Sequence, residues 1–482
     1  MSIGINRHAN DLRAFIEELD EIGQIKRFEG ADWDLEIGAL TEIMADRNGP
    51  AVLFDNIKGY APGYRILANP VGGQARMAVA LGLSRELRGI DLLNEWRQKF
   101  KDMKPIPPTT VSDGPLTENV VEGDSVDLEA YPAPRWHEEV GGRYFGTGCS
   151  IVTRDPDNGS VNVGTYRCMI QGKNTLSVKM NKGKHGRLAM QKYHAAGKPC
   201  PVAISLGQNA QVYMTSQMPI PLGTDEYAVA GWLQNKPIEV IESSATGLPL
   251  PADGEIVLEG EIPVYRESDL PKEGPFGEWP GYYADTTTGE VPLMTVKRVY
   301  HRNQPIIIGA PPLKPPNNLQ ALPLGASVLW DQMEKAGIPN VTGVWGYIYG
   351  SQSGLFTVVS IKQAYMGHSK QALLVAAGAR AGAYGGKFVV VVDHDVDITN
   401  LGDVIWAVST RCTGQEAIDI VKNVWTSPGD PAIAPEKRSS KGYTMDRILI
   451  DACRPYRWYD EFPKPNAFSP DAKKRFIEKW GL

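Results

Sequence analysis

The stretch Ser160-Val-Asn-Val-Gly-Thr-Tyr166 is typical of the middle of this chain. It is a short β-branched run that ends near a glycine, and similar runs occur at Cys149-Ser-Ile-Val-Thr153 and Pro201-Val-Ala-Ile-Ser205. Short runs of this kind, separated by Gly, Asn and Pro, indicate antiparallel strands. Residues from about 145 to 310 are therefore predicted to form a mainly antiparallel β domain, arranged as a barrel or a sandwich.

Before this β region, the sequence predicts an amphipathic helix and a mixture of short elements. Apolar side chains recur on one helical face over residues 11–22, with Asn10 as the predicted N-cap and Gly23 as the stop. Residues 104–134 carry many prolines and polar side chains, which favours a linker. We place a domain boundary there.

After the β region, a second Pro-rich break at residues 311–323 leads into an α/β segment. Ser369 is predicted to cap a helix over residues 370–381, which is followed by a buried strand at residues 387–392. The predicted fold class is α+β, with an α/β domain on each side of the β domain.

The chain ends in a predicted helix with Ser469 as N-cap and Pro470 as first residue. Phe476, Ile477 and Trp480 form an apolar stripe that favours docking on a partner. The predicted domains are an N-terminal domain at 1–115, a central domain at 116–315, a C-terminal domain at 316–450, and an oligomerisation tail at 451–482.

Composition narrows the class of protein. The chain has 482 residues, 42% hydrophobic and 22% charged, and a net charge of -6, so a folded protein is expected and a nucleic-acid or anionic-membrane surface is disfavoured. Its five cysteines are odd in number and form no CxxC pair, which argues against a disulfide framework or a zinc knuckle. The polar, acidic start has no signal-peptide pattern. A cytoplasmic protein with a small-molecule partner is expected.

The segment Glu273-Gly-Pro-Phe-Gly-Glu278 places two carboxylates close together on a stretch that is not an ordinary helix interior. Like charges held close raise one pKa, so such a pair can supply a protonated carboxyl group near neutral pH. A solvated acidic loop is the plainer alternative. The neighbouring aromatic residues Trp279, Tyr282 and Tyr283 favour a pocket.

A second set of residues suggests a cation site. The amide of Asn162, the imidazole of His185 and the carboxylate of Glu226 together would suit Mn²⁺ or Mg²⁺. In an uninterrupted strand Arg167 would lie on the face opposite Asn162. Each residue taken singly also has a plain explanation, as a turn amide, a loop histidine or a surface ion pair.

Other motifs are weak or absent. The run Asp393-His-Asp-Val-Asp397 lacks the Gly and the Glu of an EF-hand loop, so calcium binding is rejected. Lys387, at the other end of the preceding strand, is placed to reach a buried anion. The sequence contains no G-x-G-x-x-G, P-loop or G-x-S-x-G pattern, so dinucleotide, nucleoside triphosphate and serine-hydrolase functions lack their usual support.

Taken together, these segments resemble the UbiD family of reversible decarboxylases, which use prenylated flavin mononucleotide. The resemblance rests on separate blocks in the family's order, and it covers nearly the whole chain. The blocks are Gly141-Gly-Arg-Tyr-Phe145, Asn162-Val-Gly-Thr-Tyr-Arg167, His185, Met218 to Tyr227, Glu259-Gly-Glu261, Glu273-Gly-Pro-Phe-Gly-Glu278 and Lys387 to Asp397.

The resemblance implies a catalytic Glu-Arg-Glu triad. Glu278 is the implied proton donor, Arg167 the group that orients the substrate carboxylate, and Glu273 the residue that holds Arg167. It also implies that Asn162, His185 and Glu226 bind Mn²⁺ at the flavin phosphate, with K⁺ nearby. The full set of implied cofactor-binding residues is Asn162, Thr165, Tyr166, Arg167, Lys184, His185, Ser216, Met218, Glu226 and Lys387.

The resemblance also implies an architecture and partners. The central domain would be a split β-barrel that holds the flavin, and the C-terminal helix would be exchanged in a homodimer, with a homohexamer as the larger alternative. A separate flavin prenyltransferase would supply the cofactor. Non-oxidative loss of CO₂ from an aromatic, heteroaromatic or α,β-unsaturated acid is the implied reaction.

Some residues depart from the family pattern near the substrate. Lys314 follows the paired prolines where many relatives that act on aromatic acids have an acidic residue and a histidine, which suggests either a second anionic group on the substrate or an exposed lysine. Trp279, directly after the implied acid, and Asn181, near the implied metal histidine, are also expected to shape the pocket. Two rival functions stay open, an oxidoreductase with ordinary FMN in the same barrel and a non-catalytic subunit of a larger carboxylase.

Overall fold

The computed structural model describes residues 11–181, 183–283, 289–314, 322–348, 354–427, 429–438 and 442–481. The fold is mixed α/β, with one small sheet near the N-terminus, a half-barrel sheet in the middle and a mixed sheet near the C-terminus. Within the described residues, no helix has the length and apolar character that crossing a membrane requires.

The N-terminal body is a four-stranded sheet with helices packed on it. Its first helix begins after Asp11, whose side chain accepts a hydrogen bond from the Ala14 N–H at 2.8 Å. The N-cap is therefore Asp11, and the prediction of Asn10 is wrong by one residue; Asn10 itself lies outside the described residues. The elements are α1 (Leu12–Glu21), β1 (Ile25–Glu29), α2 (Glu36–Asp46), β2 (Ala51–Asp55), β3 (Arg65–Ala68), α3 (Gln74–Ala80) and α4 (Gly89–Lys101).

The central body is mainly antiparallel, as predicted. Seven strands follow the order β7-β6-β10-β13-β16-β9-β8, and β5 also pairs with β16. Its elements are β4 (Thr109–Thr110), β5 (Asn119–Glu122), β6 (Ser150–Arg154), β7 (Val161–Gly164), β8 (Arg167–Gly172), β9 (Thr175–Lys179), α5 (His185–Ala195), β10 (Cys200–Ser205), α6 (Ala210–Thr215), α7 (Glu226–Gln234), β11 (Glu239–Glu242), β12 (Pro249–Pro251), β13 (Ile256–Ile262), β14 (Lys272–Glu273), β15 (Gly289–Glu290), β16 (Leu293–His301) and β17 (Ile306–Gly309).

The predicted linker at residues 104–134 is not a free linker. Its strand β4 pairs in parallel with β11, and its strand β5 pairs with β16. Polar and proline-rich composition does not reveal such edge pairing, because short edge strands tolerate both proline and charge.

The strand β17 crosses from the central segment into the N-terminal sheet. It pairs in parallel with β3, so that Ile306 lies opposite Arg65 and Gly309 opposite Ala68. The N-terminal sheet therefore has the order β1-β2-β3-β17. A domain boundary near residue 115 would therefore assign β17 to a different domain from the other three strands of its sheet.

The C-terminal body is a five-stranded sheet in the order β18-β19-β20-β22-β21. The prediction of a buried strand before Asp393 is confirmed, because Val389 to Val392 are at most 1% exposed. The elements are α8 (Leu324–Lys335), β18 (Val341–Tyr347), β19 (Phe356–Ile361), α9 (His368–Gly378), α10 (Arg380–Ala383), β20 (Phe388–Asp393), α11 (Leu401–Arg411), β21 (Ile418–Trp425), β22 (Thr444–Ala452) and α12 (Pro470–Trp480).

The helix before β20 begins earlier than predicted. Its N-cap is Gly367, and the Ser369 hydroxyl donates to the carboxylate of Asp451 on β22 instead of capping the helix. The helical stretch also breaks at Ala379 and resumes as α10. A serine that finds a carboxylate in a neighbouring strand does not serve as a cap, and the sequence alone does not reveal that partner.

The terminal helix α12 begins as predicted, with the Ser469 hydroxyl accepting from the Ala472 N–H at 3.2 Å. Its apolar stripe is exposed in the single chain, Phe476 at 47%, Ile477 at 48% and Trp480 at 70%. Phe468 lies beside Phe476, with ring centroids 6.1 Å apart.

Candidate functional site

Arg167 joins two carboxylates that lie five positions apart in sequence. Its Nε donates to Glu273 Oε1 at 2.6 Å and its Nη2 donates to Glu273 Oε2 at 2.9 Å, a bidentate pair. Its Nη1 lies 3.6 Å from Glu278 Oε1. The structure thus brings the three residues of the implied triad together.

Local backbone contacts fix both carboxylates. Glu273 ends β14, and the following loop packs against Gly141, whose N–H donates to Pro275 O at 2.8 Å. A Cβ on Gly141 would lie 2.0 Å from the carbonyl oxygen of Gly274, so this close approach requires glycine. Glu278 sits in a tight turn, in which its N–H donates to Tyr282 O at 2.9 Å.

The two carboxylates lie in different environments. The Glu273 side chain is fully buried, whereas 28% of the Glu278 side chain is exposed. Phe276 lies between them in sequence and places its ring 4.7 Å from the Arg167 guanidinium carbon. Glu273 is therefore a buried structural anion, while Glu278 faces the accessible side of Arg167.

Burial raises the pKa of Glu278, and the nearby Glu273 charge raises it further. Arg167 and Lys179 act in the opposite direction on the same pKa. The net effect is upward, which favours a carboxyl group that holds its proton at higher pH than an ordinary glutamate. That is the property required of a general acid.

Lys179 belongs to this site, although sequence reasoning did not select it. It is the last residue of β9 and the direct cross-strand neighbour of Arg167 on β8. Burial lowers the pKa of Lys179. In the sequence, Lys179 is only a lysine at the end of the short strand-like run Thr175-Leu-Ser-Val-Lys179. That pattern fits a solvated strand end equally well.

The strand that carries Asn162 ends before Arg167. Strand β7 stops at Gly164, and Thr165 instead donates its N–H to Ser216 O at 3.0 Å, with the two hydroxyl oxygens 2.9 Å apart. The strand is therefore interrupted between Asn162 and Arg167, so the alternation that would put them on opposite faces of one uninterrupted strand does not apply.

The predicted cation ligands lie around one tyrosine. The Tyr166 hydroxyl accepts from the Gly186 N–H at 3.1 Å, next to His185, and lies 3.5 Å from the Asn162 amide nitrogen. Glu226 Oε2 accepts from the N–H of Val163 at 2.8 Å. Asn162 and the backbone next to His185 therefore both contact Tyr166, and Glu226 contacts the strand that carries Asn162; His185 and Glu226 are the first residues of α5 and α7.

These residues fit a divalent cation. Glu226 is 5% exposed, burial raises its pKa to about 7, and no lysine or arginine pairs with it among the described residues. Burial, followed by the Lys184 charge, lowers the pKa of His185, which favours the neutral imidazole that binds metal. Within the described part of the chain there is no cluster of three His, Cys, Asp or Glu, and the Asn162 side chain is an amide, whose oxygen is a type of ligand that divalent cations accept.

Lys387 lies on the C-terminal body and pairs with Asp430, the Nζ to Oδ1 distance being 3.4 Å. Asp430 is 1% exposed, and its Oδ2 has no partner among the described residues. The adjacent Gly429 packs on Trp279, since a Cβ there would lie 3.1 Å from the indole nitrogen. Lys387 is therefore connected to the Glu278 loop through this contact.

The other predicted residues differ in exposure. Met218 is half-buried and packs on the large apolar core, whereas Lys184 is exposed at the start of α5. Lys314 is also exposed, which favours its solvated interpretation. Asn181 is exposed as well.

Comparison with known protein families gives matches along most of the chain. The sequence matches three consecutive family profiles, described as the N-terminal, the Rift-related and the C-terminal domain of 3-octaprenyl-4-hydroxybenzoate carboxy-lyase, at residues 16–96, 109–315 and 320–452.

Individual relatives agree with that match. The chain is 32% identical over 424 residues to pyrrole-2-carboxylic acid decarboxylase of Pseudomonas aeruginosa, covering 84% of each chain. It is 32% identical to phenolic acid decarboxylase of Sedimentibacter hydroxybenzoicus, covering 97% of each.

A solved relative is the UbiD-class enzyme HmfF of Pelotomaculum thermopropionicum in complex with FMN, which is 28% identical with a TM-score of 0.83 over 98% of this chain and 100% of that chain. An evolved dimeric form of HmfF, in complex with prFMN, is 26% identical with a TM-score of 0.80, again over 98% of this chain and 100% of that chain.

Proposed function

Because the chain belongs to the UbiD family of carboxy-lyases, we propose that it removes CO₂ non-oxidatively and reversibly from an aromatic, heteroaromatic or α,β-unsaturated acid with the help of prenylated FMN. The observation that carries the proposal is the contact of one guanidinium, Arg167, with both the buried Glu273 and the more accessible Glu278. The names of the pyrrole and phenolic acid decarboxylases favour an aromatic or heteroaromatic acid.

Each residue of the triad has a separate role. Glu273 holds Nε and Nη2 of Arg167, which fixes the plane of the guanidinium. We assign Nη1, the atom turned towards Glu278, to the substrate carboxylate. A fixed guanidinium orients a carboxylate at little cost in entropy, because the fork of donors is already in place.

Glu278 is the proposed proton donor. When the bond to the carboxylate carbon breaks, the electron pair stays on the substrate carbon and CO₂ leaves. The Glu278 carboxyl proton then replaces CO₂ on that carbon, and water returns a proton to Glu278. In the reverse direction the same carboxylate removes the proton.

Prenylated FMN, when bound, supplies an electron sink for the carbon that loses CO₂. The chain's contribution is to hold it in a split barrel formed by the central sheet. Thr165, Tyr166, Ser216 and Met218 would contact it. Lys184 and Lys387 would balance the charge of its phosphate.

Asn162, His185 and Glu226 would hold Mn²⁺ or Mg²⁺ near that phosphate. The uncompensated buried carboxylate of Glu226 supports this role. A K⁺ ion near the same phosphate would complete the charge balance. We further propose a homodimer or homohexamer, located in the cytoplasm and supplied with cofactor by a flavin prenyltransferase.

The deciding experiment is to produce the protein together with a flavin prenyltransferase. The absorbance spectrum and the mass of the released flavin are measured, followed by CO₂ release from a panel that includes pyrrole-2-carboxylate and phenolic acids. A flavin heavier than FMN by the prenyl group, with CO₂ released from some acids, supports the lyase. Glu278→Gln is expected to keep the flavin and lose decarboxylation.

Three other outcomes would contradict the proposal in different ways. Ordinary FMN that turns over with NADPH would indicate an oxidoreductase. Prenylated FMN without CO₂ release from any acid would favour a non-catalytic subunit. Absence of any flavin would remove the cofactor assignment itself.

A further inference from the structure

A cavity of about 220 Å³ lies in the N-terminal body, away from the triad. It is bordered by the loop that follows β3 and by the first turn of α3. Its polar lining consists of two arginines and several amides, and no aspartate or glutamate belongs to it. The polar side chains that line it are Gln24, Asn48, Asn69, Gln74, Arg76 and Arg88.

Arg76 is the central group of this cavity. It is 3% exposed, yet the two acceptors of its Nη1, Gln24 Oε1 and Gly49 O at 3.0 Å each, are neutral. Its Nε is buried and has no partner among the described residues. Buried arginines are usually paired with an anion, because an uncompensated buried charge is costly. Burial lowers the pKa of Arg76 to about 10.

The backbone leaves room for the Arg76 guanidinium. A Cβ on Gly73 would lie 3.3 Å from both Cζ and Nη2 of Arg76, so the guanidinium packs flat against the chain at this position. A Cβ on Gly72 would lie 2.2 Å from Asn69 Oδ1. The two glycines therefore allow an arginine and an amide to border the same space.

Arg88 adds a second cation at the exposed rim. Its Nη1 donates to the carbonyl oxygens of Arg85 at 2.5 Å and Leu87 at 2.6 Å, so it too is held by neutral acceptors. Two fixed guanidiniums without a carboxylate in the lining produce a positive potential in the cavity.

We propose that this cavity binds a small oxyanion, a phosphate or carboxylate group, between Arg76 and Arg88. The guanidinium fork matches the geometry of both groups, and the volume suits the anionic group itself better than a large ligand. The site shares no residue with the triad or with the proposed flavin contacts.

The test titrates inorganic phosphate and, in a separate arm, acetate into the FMN-saturated protein by calorimetry. Saturation with FMN keeps phosphate from the proposed flavin phosphate site. We expect one equivalent of phosphate or acetate to bind in a manner that depends on Arg88, apart from any acetate held by Arg167, and the stronger of the two Arg88-dependent anions identifies the ligand class. Arg88→Gln is expected to weaken binding about tenfold, since a charged hydrogen bond is lost.

Arg85→Gln is the matched control, because it removes the same charge three positions away and does not line the cavity. It is expected to leave the affinity unchanged. Arg76→Lys, which keeps the buried charge but loses the fork, should also weaken binding if the folded protein is recovered. The proposal is overturned if neither anion binds at millimolar concentration, or if Arg88→Gln and Arg85→Gln bind the anion equally well. Either result is independent of whether the triad decarboxylates an acid.

Discussion

Arg167 and Lys179 are direct neighbours across the ladder of β8 and β9, at the point where both strands reach the triad. Both cations lower the pKa of Glu278, while burial and Glu273 raise it. The proton affinity of the proposed acid is therefore set by a balance between burial and two cations. Arg167 was predicted from the resemblance to the family, whereas Lys179 was found only in the structure.

This balance predicts the pH dependence of decarboxylation. Glu278 can donate only while protonated, and its pKa is raised, so kcat is expected to fall as pH rises through that pKa. Removing the Lys179 charge should raise the pKa further. Lys179→Met is therefore expected to move the alkaline limb of the pH–kcat profile to higher pH.

Lys272→Met is the control for this profile. Lys272 is exposed, next to Glu273 in sequence, and does not contribute to the shift of Glu278. Removal of the Lys272 charge should leave the alkaline limb of the pH–kcat profile at the same pH. A limb that stays unmoved in Lys179→Met would contradict the role given to Lys179, and a limb that moves to lower pH would contradict the sign.

The difference in burial between the two glutamates predicts different effects of neutralising them. Glu273→Gln removes the buried carboxylate that holds Arg167 in a bidentate pair, so the free energy of unfolding is expected to fall by about 3 kcal/mol. The Glu278 side chain is 28% exposed and lies 3.6 Å from Arg167, so Glu278→Gln should lower the free energy of unfolding by less than about 1 kcal/mol.

Kinetics separate the same two variants. Glu273→Gln should raise KM for the acid, because Arg167 loses its fixed orientation, whereas Glu278→Gln should abolish kcat. Denaturant unfolding and initial CO₂ release check both expectations. Equal stability of the two variants would argue that Glu273 does not anchor the guanidinium.

Removal of the buried carboxylate at the proposed cation site should remove the metal. Glu226→Gln is expected to lower the Mn²⁺ content of the purified holoenzyme at least tenfold, as measured by elemental analysis, since an anionic ligand becomes a neutral one. Asp225→Asn is the matched control. Asp225 caps α7 by accepting from the N–H of Tyr227, and an asparagine can cap in the same way, so Asp225→Asn should keep the helix intact and leave the metal bound. Full Mn²⁺ content in Glu226→Gln would exclude this residue as a ligand.

The exposed stripe on α12 predicts that oligomerisation depends on it. Ile477→Ser with Trp480→Ser is expected to shift the protein from dimer or hexamer towards monomer in light scattering, because the burial of both side chains is lost. Arg475→Ser with Glu478→Ser changes the opposite face of the same helix and should leave the mass unchanged. An unchanged mass in the first variant would place the interface elsewhere.

Periodic patterns predicted the elements well where local residues decide them. The strand before Asp393 and the cap at Ser469 depend on nearby residues, and both agree with the structure. The prediction that Ser369 is an N-cap was wrong, because its hydroxyl donates to a distant residue, Asp451. The end of β7 at Gly164, which the sequence left open, also depends on a distant residue, since Ser216 takes the N–H of Thr165.

In the candidate site, too, the features that depend on nearby residues could be predicted, and those that depend on distant residues could not. The spacing of Glu273 and Glu278 suggested a shared cleft, but their different burial depends on the whole fold. Lys179 was missed because its neighbour Arg167 is fixed by strand pairing and not by spacing. Arg76 gave no signal at all, because a lone arginine on a short helix is ordinary until its surroundings are known.

The position of β17 in the N-terminal sheet affects how this protein is made. The Arg65 side chain donates to Gln304 O, 239 residues away, and β3 pairs with β17 next to that contact. A ribosome that adds roughly 5–20 residues per second needs on the order of tens of seconds to release this strand. Until then one edge of the nascent sheet has no partner, so the first part of the chain to be translated completes its fold only after the central part has emerged.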